Sequence, residues 1–309
     1  MGSSALVRLG GPALFVLLWS TGFVGAKYGL PYADPFPFLA VRLGIAAALL
    51  GLLALVTRSP LPRDREQYGR AAVVGVLLHA GYLGGVFTGI AHGVPAGVAA
   101  VVTSLQPVLT AVLAVRLLGE RLRPAQLAGL AVGVVGVVLV LAPGLLASAG
   151  AQLPVGGLLA CALALVSGTA ATLYQKRHGG QVPLLTGTAV QYAAATGLLV
   201  VAAAVTGEHR VRWTADFALS LAWLVVVLSI GAVLLLLVLL QRSSAASVSS
   251  LLYLVPPATA LEALVLFDER LAPVSVAGVV VAALGVALVV SPGRSQAAPR
   301  QGTGACQPR

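Results

Sequence analysis

PVLTAVLAVRLLGERLRPAQLAGLAVGVVGVVLVLAPG, residues 107–144, recurs without a gap as residues 256–293. An offset of 149 residues pairs Pro107 with Pro256, and 18 of the 38 positions are identical. Nine of these identities are Pro, Gly, Thr, Glu or Arg, which chance does not align in so apolar a chain. The sequence therefore predicts two copies of one structural unit.

The composition is typical of a protein that lies within a lipid bilayer. Of the 309 residues, 59% are hydrophobic and 9% are charged, with a mean hydropathy of +0.99. Soluble domains carry roughly 25% charged residues. Two uncharged runs, 71–115 and 124–175, are each long enough for two helices that cross a bilayer core of about 30 Å. Strands are not credible, because the runs lack alternating polarity and lipid cannot satisfy open backbone groups. We predict an all-α polytopic membrane protein.

The uncharged runs and their Pro- and Gly-rich breaks predict ten transmembrane helices in two five-helix repeats, residues 12–144 and 153–291. Residues 1–11 are predicted to be a cytoplasmic N-terminus and residues 292–309 a disordered cytoplasmic tail, rich in Gly, Pro, Gln and Ser. The predicted spans are 12–30, 36–57, 71–90, 94–117, 124–142, 153–174, 182–206, 217–241, 244–267 and 272–291.

The basic residues indicate the orientation of the chain in the membrane. With the amino terminus inside, 14 of the 19 Lys and Arg residues lie in inner segments. The positive-inside rule then places both termini in the cytoplasm of a multi-pass inner-membrane protein. The net charge of +10 invites a nucleic-acid interpretation, but the basic residues do not form one face, so we expect no nucleic-acid partner.

Five spans per copy is an odd number, so the second copy must enter the membrane inverted relative to the first. The loop charges agree with this, because Gly-Glu-Arg-Leu-Arg (119–123) recurs as Asp-Glu-Arg-Leu-Ala (268–272), which has lost an arginine. Inverted repeats are typical of carriers that work by alternating access. The alternative is that duplication merely built a stable bundle.

Several motifs together resemble one known family. They are Leu-Trp-Ser-Thr-Gly-Phe-Val-Gly-Ala-Lys-Tyr-Gly (18–29), Ala-Val-Arg (40–42) and the two Pro…Glu-Arg-Leu span ends. In this order, with ten spans over residues 10–291, the set resembles the EamA-type branch of the drug/metabolite transporter (DMT) superfamily. The resemblance implies a secondary transporter with a central cavity between two EamA repeats that exports small metabolites or drugs. It does not name a substrate.

Charged residues within predicted spans need a reason, because burying a charge in the bilayer is costly. Arg42 and Glu262 lie at similar predicted depths, about 9 and 8 Å below the outer surface at 1.5 Å per residue. Lys27 lies near the same level. One hypothesis is a gate or proton-coupling site in which Glu262 pairs with Arg42 or Lys27. The alternative is that both cations extend to the lipid headgroups and Glu262 merely offsets a charge.

Polar and aromatic residues near the predicted mid-depth of the bundle are candidates for substrate binding. Such a mixture suits an amphipathic or zwitterionic small molecule better than a phosphorylated one, which calls for several cations. Pro107 and Pro256 are candidate hinges, because proline frees a backbone carbonyl. For His79 a packed histidine that bonds a neighbouring helix is an equal alternative. The candidate substrate-binding residues are His79, Tyr82, Thr103, Gln106, Trp19, Tyr174 and Tyr253.

The small-residue patterns of spans five and ten, around Gly129 and Gly278, permit close helix contact. They allow either a homodimer through these spans or ordinary packing within one chain.

Other classes of function find little support in the sequence. No phosphate-binding loop is present, two cysteines give no metal spacing, and we expect no cofactor, metal or catalytic residues. His79 and Glu262 differ in predicted depth by about 10 Å, which argues against an enzyme. A membrane-embedded sensor or enzyme remains the alternative class, and an uncoupled facilitator is the alternative within the transporter class.

Overall fold

The computed structural model describes residues 2–94, 99, 102–147, 154–267 and 272–290, and within these ranges it is helical without named strands. Seven of the described helices are long and apolar enough to cross a membrane, which confirms a polytopic all-α membrane protein. The helices discussed below are α1 (Gly2–Gly29), α2 (Pro35–Val56), α3 (Arg65–Ala91), α4 (Gln106–Leu117), α5 (Pro124–Ala147), α6 (Val155–His178), α7 (Leu184–Thr206), α8 (Ala215–Arg242), α9 (Val255–Phe267) and α10 (Pro273–Val290).

Two predicted spans differ from the observed helices. Span 94–117 is interrupted at Leu105, directly before α4 begins. Span 244–267 consists of a short helix, Ala245–Ser250, a 3-10 turn, Leu251–Leu254, and then α9. Both breaks precede a proline at the second residue of a helix, where the missing N–H breaks no helical hydrogen bond. The predicted tail, 292–309, lies outside the described residues.

The backbone repeats its helix boundaries at the spacing of the sequence duplication. Helices α2 and α7 begin at Pro35 and Leu184, which are 149 residues apart. Helices α5 and α10 begin at Pro124 and Pro273, again 149 residues apart. The correspondence therefore reaches well upstream of the stretch in which the sequence identity is visible.

Departures from α-helical geometry repeat as well. The 3-10 turns Leu30–Tyr32 and Gly179–Gln181 differ by the same 149 positions. Helix α3 contains a π-helical segment at Val76–Leu83, and α8 contains one at Leu224–Ala232, which overlaps the corresponding positions. π-Helical segments are uncommon in proteins as a whole, and those that occur often lie at functional sites. Their repetition therefore marks both helices as candidates to line a site.

Helices α5 and α10 make the most extensive helix–helix contact of the described bundle. A Cβ atom on Gly136 would lie 2.3 Å from the Ala282 nitrogen, and one on Gly285 would lie 2.5 Å from the Gly133 nitrogen. No side chain fits in these gaps, so the two backbones touch. The predicted small-residue faces thus pack against each other within one chain. A homodimer through these helices would have to use their other faces.

Two reciprocal hydrogen bonds reinforce this pair. Gln126 donates through Nε2 to the Val289 carbonyl at 3.2 Å, and Ser275 donates through Oγ to the Val140 carbonyl at 2.9 Å. Gln126 corresponds to Ser275, and Val140 to Val289, at the 149-residue offset. The duplicated sequence therefore makes the same contact twice, once from each helix, although the two donors differ chemically.

A backbone strap joins the two halves at one end of the bundle. It consists of residues 32–34, between α1 and α2, and residues 210–212, between α7 and α8. Ala33 and Val211 form an antiparallel bridge, in which Asp34 N–H donates to the Arg210 carbonyl at 2.9 Å. Arg212 N–H donates to the Tyr32 carbonyl at 2.8 Å. The Arg210 guanidinium also pairs with the Asp34 carboxylate at 3.1 Å.

This ion pair makes the strap sensitive to pH. Partial burial alone would raise the pKa of Asp34, but the hydrogen bonds and charge of Arg210 outweigh it and hold the pKa below its ordinary value. A carboxyl group with a lowered pKa stabilises the fold above its unfolded-state pKa of about 3.9. That contribution is lost as the pH falls through the lowered folded-state value.

We expect Gly136→Ala to destabilise the protein, because its methyl group would overlap the α10 backbone. Overpacking of this kind costs about 1–3 kcal/mol. Gly197→Ala in α7 is a matched control, since its Cβ would meet no atom within 4 Å. Thermal melting in detergent is the measurement. Equal melting temperatures for the two variants would contradict the backbone contact.

We expect Arg210→Ala to lower the melting temperature by about 1–2 °C at pH 7 and by less at pH 2, because the stabilisation is lost as the pH falls through the lowered pKa of Asp34. Arg63→Ala, an exposed arginine ahead of α3, serves as the control. A loss for Arg210→Ala that is the same at both pH values would show that the ion pair does not stabilise the strap.

Candidate functional site

A small polar cavity lies where the two halves of the chain meet, and we call it the central cavity. It has a volume of about 20 Å³, which is room for a single water molecule. Helices α1, α3 and α4 contribute from the first half, and α6, α8 and the segment ahead of α9 contribute from the second. The lining residues are Trp19, Leu78, Tyr82, Gln106, Thr172, Leu236, Val248, Ser249 and Leu252.

The polar groups at the central cavity are incompletely satisfied. Gln106 donates through Nε2 to Thr172 Oγ1 at 3.4 Å, and Thr172 in turn donates to the Gly168 carbonyl at 2.9 Å. The Gln106 Oε1 and Ser249 Oγ atoms are buried, and neither has a protein partner within the described ranges. Leaving a buried polar group without a partner costs about 1–3 kcal/mol. This arrangement favours a bound water or a polar ligand.

Gly168 sets the shape of the central cavity. A Cβ atom there would lie 2.9 Å from Tyr82 Cδ2 and 3.0 Å from Gln106 Oε1, so the missing side chain admits both groups. Ser167, beside it, donates to the Leu77 carbonyl at 2.9 Å inside the π-helical segment of α3. Helix α6 therefore holds the irregular part of α3 against the cavity.

A second buried polar cluster surrounds Arg42, which is only 5% exposed. Its Nε donates to Ser229 Oγ at 3.0 Å, and the Tyr192 hydroxyl donates to the Ser229 carbonyl. The ring centroids of Tyr192 and His79 are 4.6 Å apart. Nε2 of His79 and Oε1 of Gln191 are buried with no hydrogen-bond partner in the described part of the chain.

The structure does not form the predicted ion pair between Arg42 and Glu262. Glu262 accepts a hydrogen bond from Ser20 Oγ at 2.5 Å, whereas Arg42 bonds to Ser229. The reason is helix neighbourhood, because α9 packs against α1 while α2 packs against α7 and α8. Arg42 and Glu262 thus lie among different helices, although their predicted depths in the bundle are similar. The side chain of Lys27 lies outside the described residues.

The other candidate residues divide among several places. Trp19, Tyr82 and Gln106 converge on the central cavity, as predicted from their depth. Tyr253 is fully buried against Gly133 of α5 instead. Tyr174 lines a separate groove of about 300 Å³ with Arg177 and His178.

Thr103 donates to the Ala99 carbonyl of its own helical segment. Pro107 and Pro256 are each the second residue of their helix, directly after the breaks described above. A break of this kind is compatible with the predicted hinges, but it does not test them.

Sequence reasoning missed Thr172, Ser249, Tyr192 and Ser229. Each is a polar residue within a strongly apolar span, and that was the available signal. Polarity alone does not say whether a hydroxyl bonds its own helix, as Thr169 does with the Leu165 carbonyl at 2.8 Å, or faces a neighbouring helix.

Comparison with solved structures supports the fold. One crystal structure, described only as that of a protein, superposes with a TM-score of 0.77 over 91% of this chain and 96% of the other, at 23% sequence identity. At this identity the likeness concerns the fold alone.

Two relatives of known name are similar to this chain, and one of them is named as a transporter. The uncharacterized transporter YvbV of Bacillus subtilis (strain 168) is 27% identical over 288 residues, which are 93% of this chain and 92% of YvbV. A chloroplastic WAT1-related protein of Arabidopsis thaliana is 30% identical over 125 residues, 40% of this chain and 30% of that protein. The EamA-like transporter family matches twice, at residues 12–142 and 154–291. The chain therefore belongs to the EamA-like transporter family, within the DMT superfamily.

Proposed function

We propose that this protein is a secondary carrier of a small amphipathic or zwitterionic solute, a metabolite or a drug-like molecule. Family membership and the name of the YvbV relative point to a transporter rather than an enzyme. The observation that carries the proposal is the central cavity, where buried polar atoms from both halves lack partners. A solute that supplies those hydrogen bonds would bind between the halves.

The carrier works by alternating access in this proposal. The repeated helix boundaries and π-helical segments support ten spans arranged as two inverted five-helix repeats. Rocking of one repeat against the other would open the central cavity to each side in turn. With room for about one water molecule, the cavity corresponds to a closed state in this scheme.

The substrate class follows from the lining of the central cavity. Trp19 and Tyr82 offer aromatic faces, and Gln106 and Ser249 offer hydrogen-bonding groups, a combination that suits an amphipathic molecule. No Lys or Arg is among its described lining residues, which disfavours phosphorylated solutes.

The direction and the location of transport belong to the same proposal. We propose export across the cell inner membrane, with both termini in the cytoplasm. The excess of Lys and Arg in the inner segments supports the cytoplasmic position of the termini. The strap then lies at the outer face.

Gly168→Ala tests the central cavity. Its methyl group would push Tyr82 and Gln106 aside, and we expect at least tenfold slower flux at equal protein content. Gly156→Ala, on the same helix with no atom within 4 Å of its Cβ, should transport like the wild type. Proteoliposomes and a radiolabelled panel of amino acids and aromatic amines give the measurement. Flux that is indifferent to Gly168→Ala would remove the central cavity from the pathway, and no flux from the wild type would favour a function other than transport.

Glu262 is the proposed proton-coupling residue, since it is a carboxyl group within a span that bonds only to Ser20 among the described groups. We expect an imposed pH gradient to drive accumulation by the wild type. Glu262→Gln should abolish that accumulation while downhill flux continues. If the wild type ignores the gradient, the protein is an uncoupled facilitator. If Glu262→Gln still accumulates solute, coupling resides elsewhere.

A further inference from the structure

A crevice opens on the side of the bundle between α1 and α8, and we call it the side crevice. Its volume is about 340 Å³ and it shares no described lining residue with the central cavity. Leu219 is 72% exposed, Tyr28 51% and Trp223 47%, so the crevice opens sideways from the bundle. The lining residues are Thr21, Gly25, Tyr28, Asp216, Leu219, Ser220, Trp223 and Glu262.

Glu262 provides the polar group deep in the side crevice. Its Oε1 accepts the Ser20 hydroxyl at 2.5 Å, and its Oε2 is buried and lacks a partner among the described residues. A carboxylate can accept about four hydrogen bonds. An acidic oxygen without a donor in an apolar crevice is a strong site for a ligand that brings an N–H group and a positive charge.

Trp223 forms a fixed aromatic wall of the side crevice. Its Nε1–H donates to Thr21 Oγ1 at 3.1 Å, and the Thr21 hydroxyl donates to the Leu18 carbonyl at 2.7 Å. The indole is thereby held against α1. Aromatic faces attract cations when these lie within about 6 Å of the ring, so this wall complements a ligand with an apolar body and a cationic group.

The charged residues that line the side crevice in the described part of the chain, Asp216 and Glu262, are both acidic. Asp216 stands at its upper end, where it accepts the Tyr32 hydroxyl at 3.1 Å, and no described Lys or Arg lines it. The crevice is thus acidic at both ends and apolar between.

We propose that the side crevice binds an amphipathic monovalent amine that enters from the lipid, with its ammonium group at Glu262 and its apolar body against Trp223 and Leu219. Charge complementarity selects this ligand over a lipid acyl chain, which would leave the carboxyl group without a partner. A volume of about 340 Å³ lies at the lower end of the range of small-molecule pockets. The proposal names a solute class for the Glu262 site, and in that respect it rests on the proposed function.

Calorimetric binding to the purified full-length protein in detergent tests this without transport. The probes are 4-phenylbutylamine and its neutral isostere 4-phenylbutanol. We expect the wild type to bind the amine at least tenfold more tightly than the alcohol, and Glu262→Gln to lose that preference. Glu66→Gln, an exposed carboxylate on α3, should behave like the wild type. Equal affinity of the wild type for the two probes would indicate a lipid-like occupant and overturn the proposal, as would a preference that survives Glu262→Gln.

A second variant covers the case in which Glu262→Gln fails to fold. Leu219→Lys places a cation at an exposed position of the side crevice and disturbs no buried atom. It should weaken amine binding at least fivefold more than alcohol binding, because both probes lose the same apolar contact and only the amine is repelled. An equal effect on the two probes would contradict the site. Gly168→Ala should not alter binding of either probe. Failure of the central-cavity proposal is thereby separated from failure of this one.

Discussion

Helices α5 and α10 meet with their backbones in direct contact, and this contact joins the two halves of the bundle. Lipid is as apolar as leucine, so helices in a bilayer gain little from burying side chains against one another and depend on close packing and hydrogen bonds. Gly136 and Gly285 allow that packing, and Gln126 and Ser275 add the paired hydrogen bonds. Since α5 and α10 do not line the central cavity, they hold the two halves together while the other helices supply the polar interior.

Several polar groups in that interior have incomplete hydrogen bonding among the described residues. Arg42 is buried with a serine for a partner and no carboxylate in the described part of the chain, and His79 and Gln191 each keep an open atom beside it. A fold selected for stability alone would not retain such groups, because each costs free energy. Their concentration where the two halves meet is consistent with a protein that exchanges partners there during its work.

Sequence reasoning predicted the architecture better than the site. The duplication predicted corresponding helix starts, and Pro124 and Pro273 show them, because the same short-range signals act in both copies. Depth along a helix also follows from counting residues, and it brought Trp19, Tyr82 and Gln106 together. The side of a helix from which a residue projects, and the helices that it faces there, depend on long-range packing. For that reason Arg42 and Glu262, matched in depth, belong to different surroundings.

The strap has a consequence for the balance between the two faces of the protein. The counterpart of the strap at the 149-residue offset would pair residues 181–183 with residues 61–63. These segments form no such main-chain bonds, because Pro62 and Pro183 have no N–H to donate and the Arg63 N–H already bonds to Gln67. A side-chain bond from Thr186 to the Pro60 carbonyl joins the two halves there instead. Within the described residues, main-chain hydrogen bonds join the two halves at the strap, whereas each bond between the halves at the opposite end involves a side chain, as from Arg70 to Gln181 and from the Ala245 N–H to Glu120. In the proposed alternating-access cycle the two faces would therefore open at unequal cost, before any solute binds.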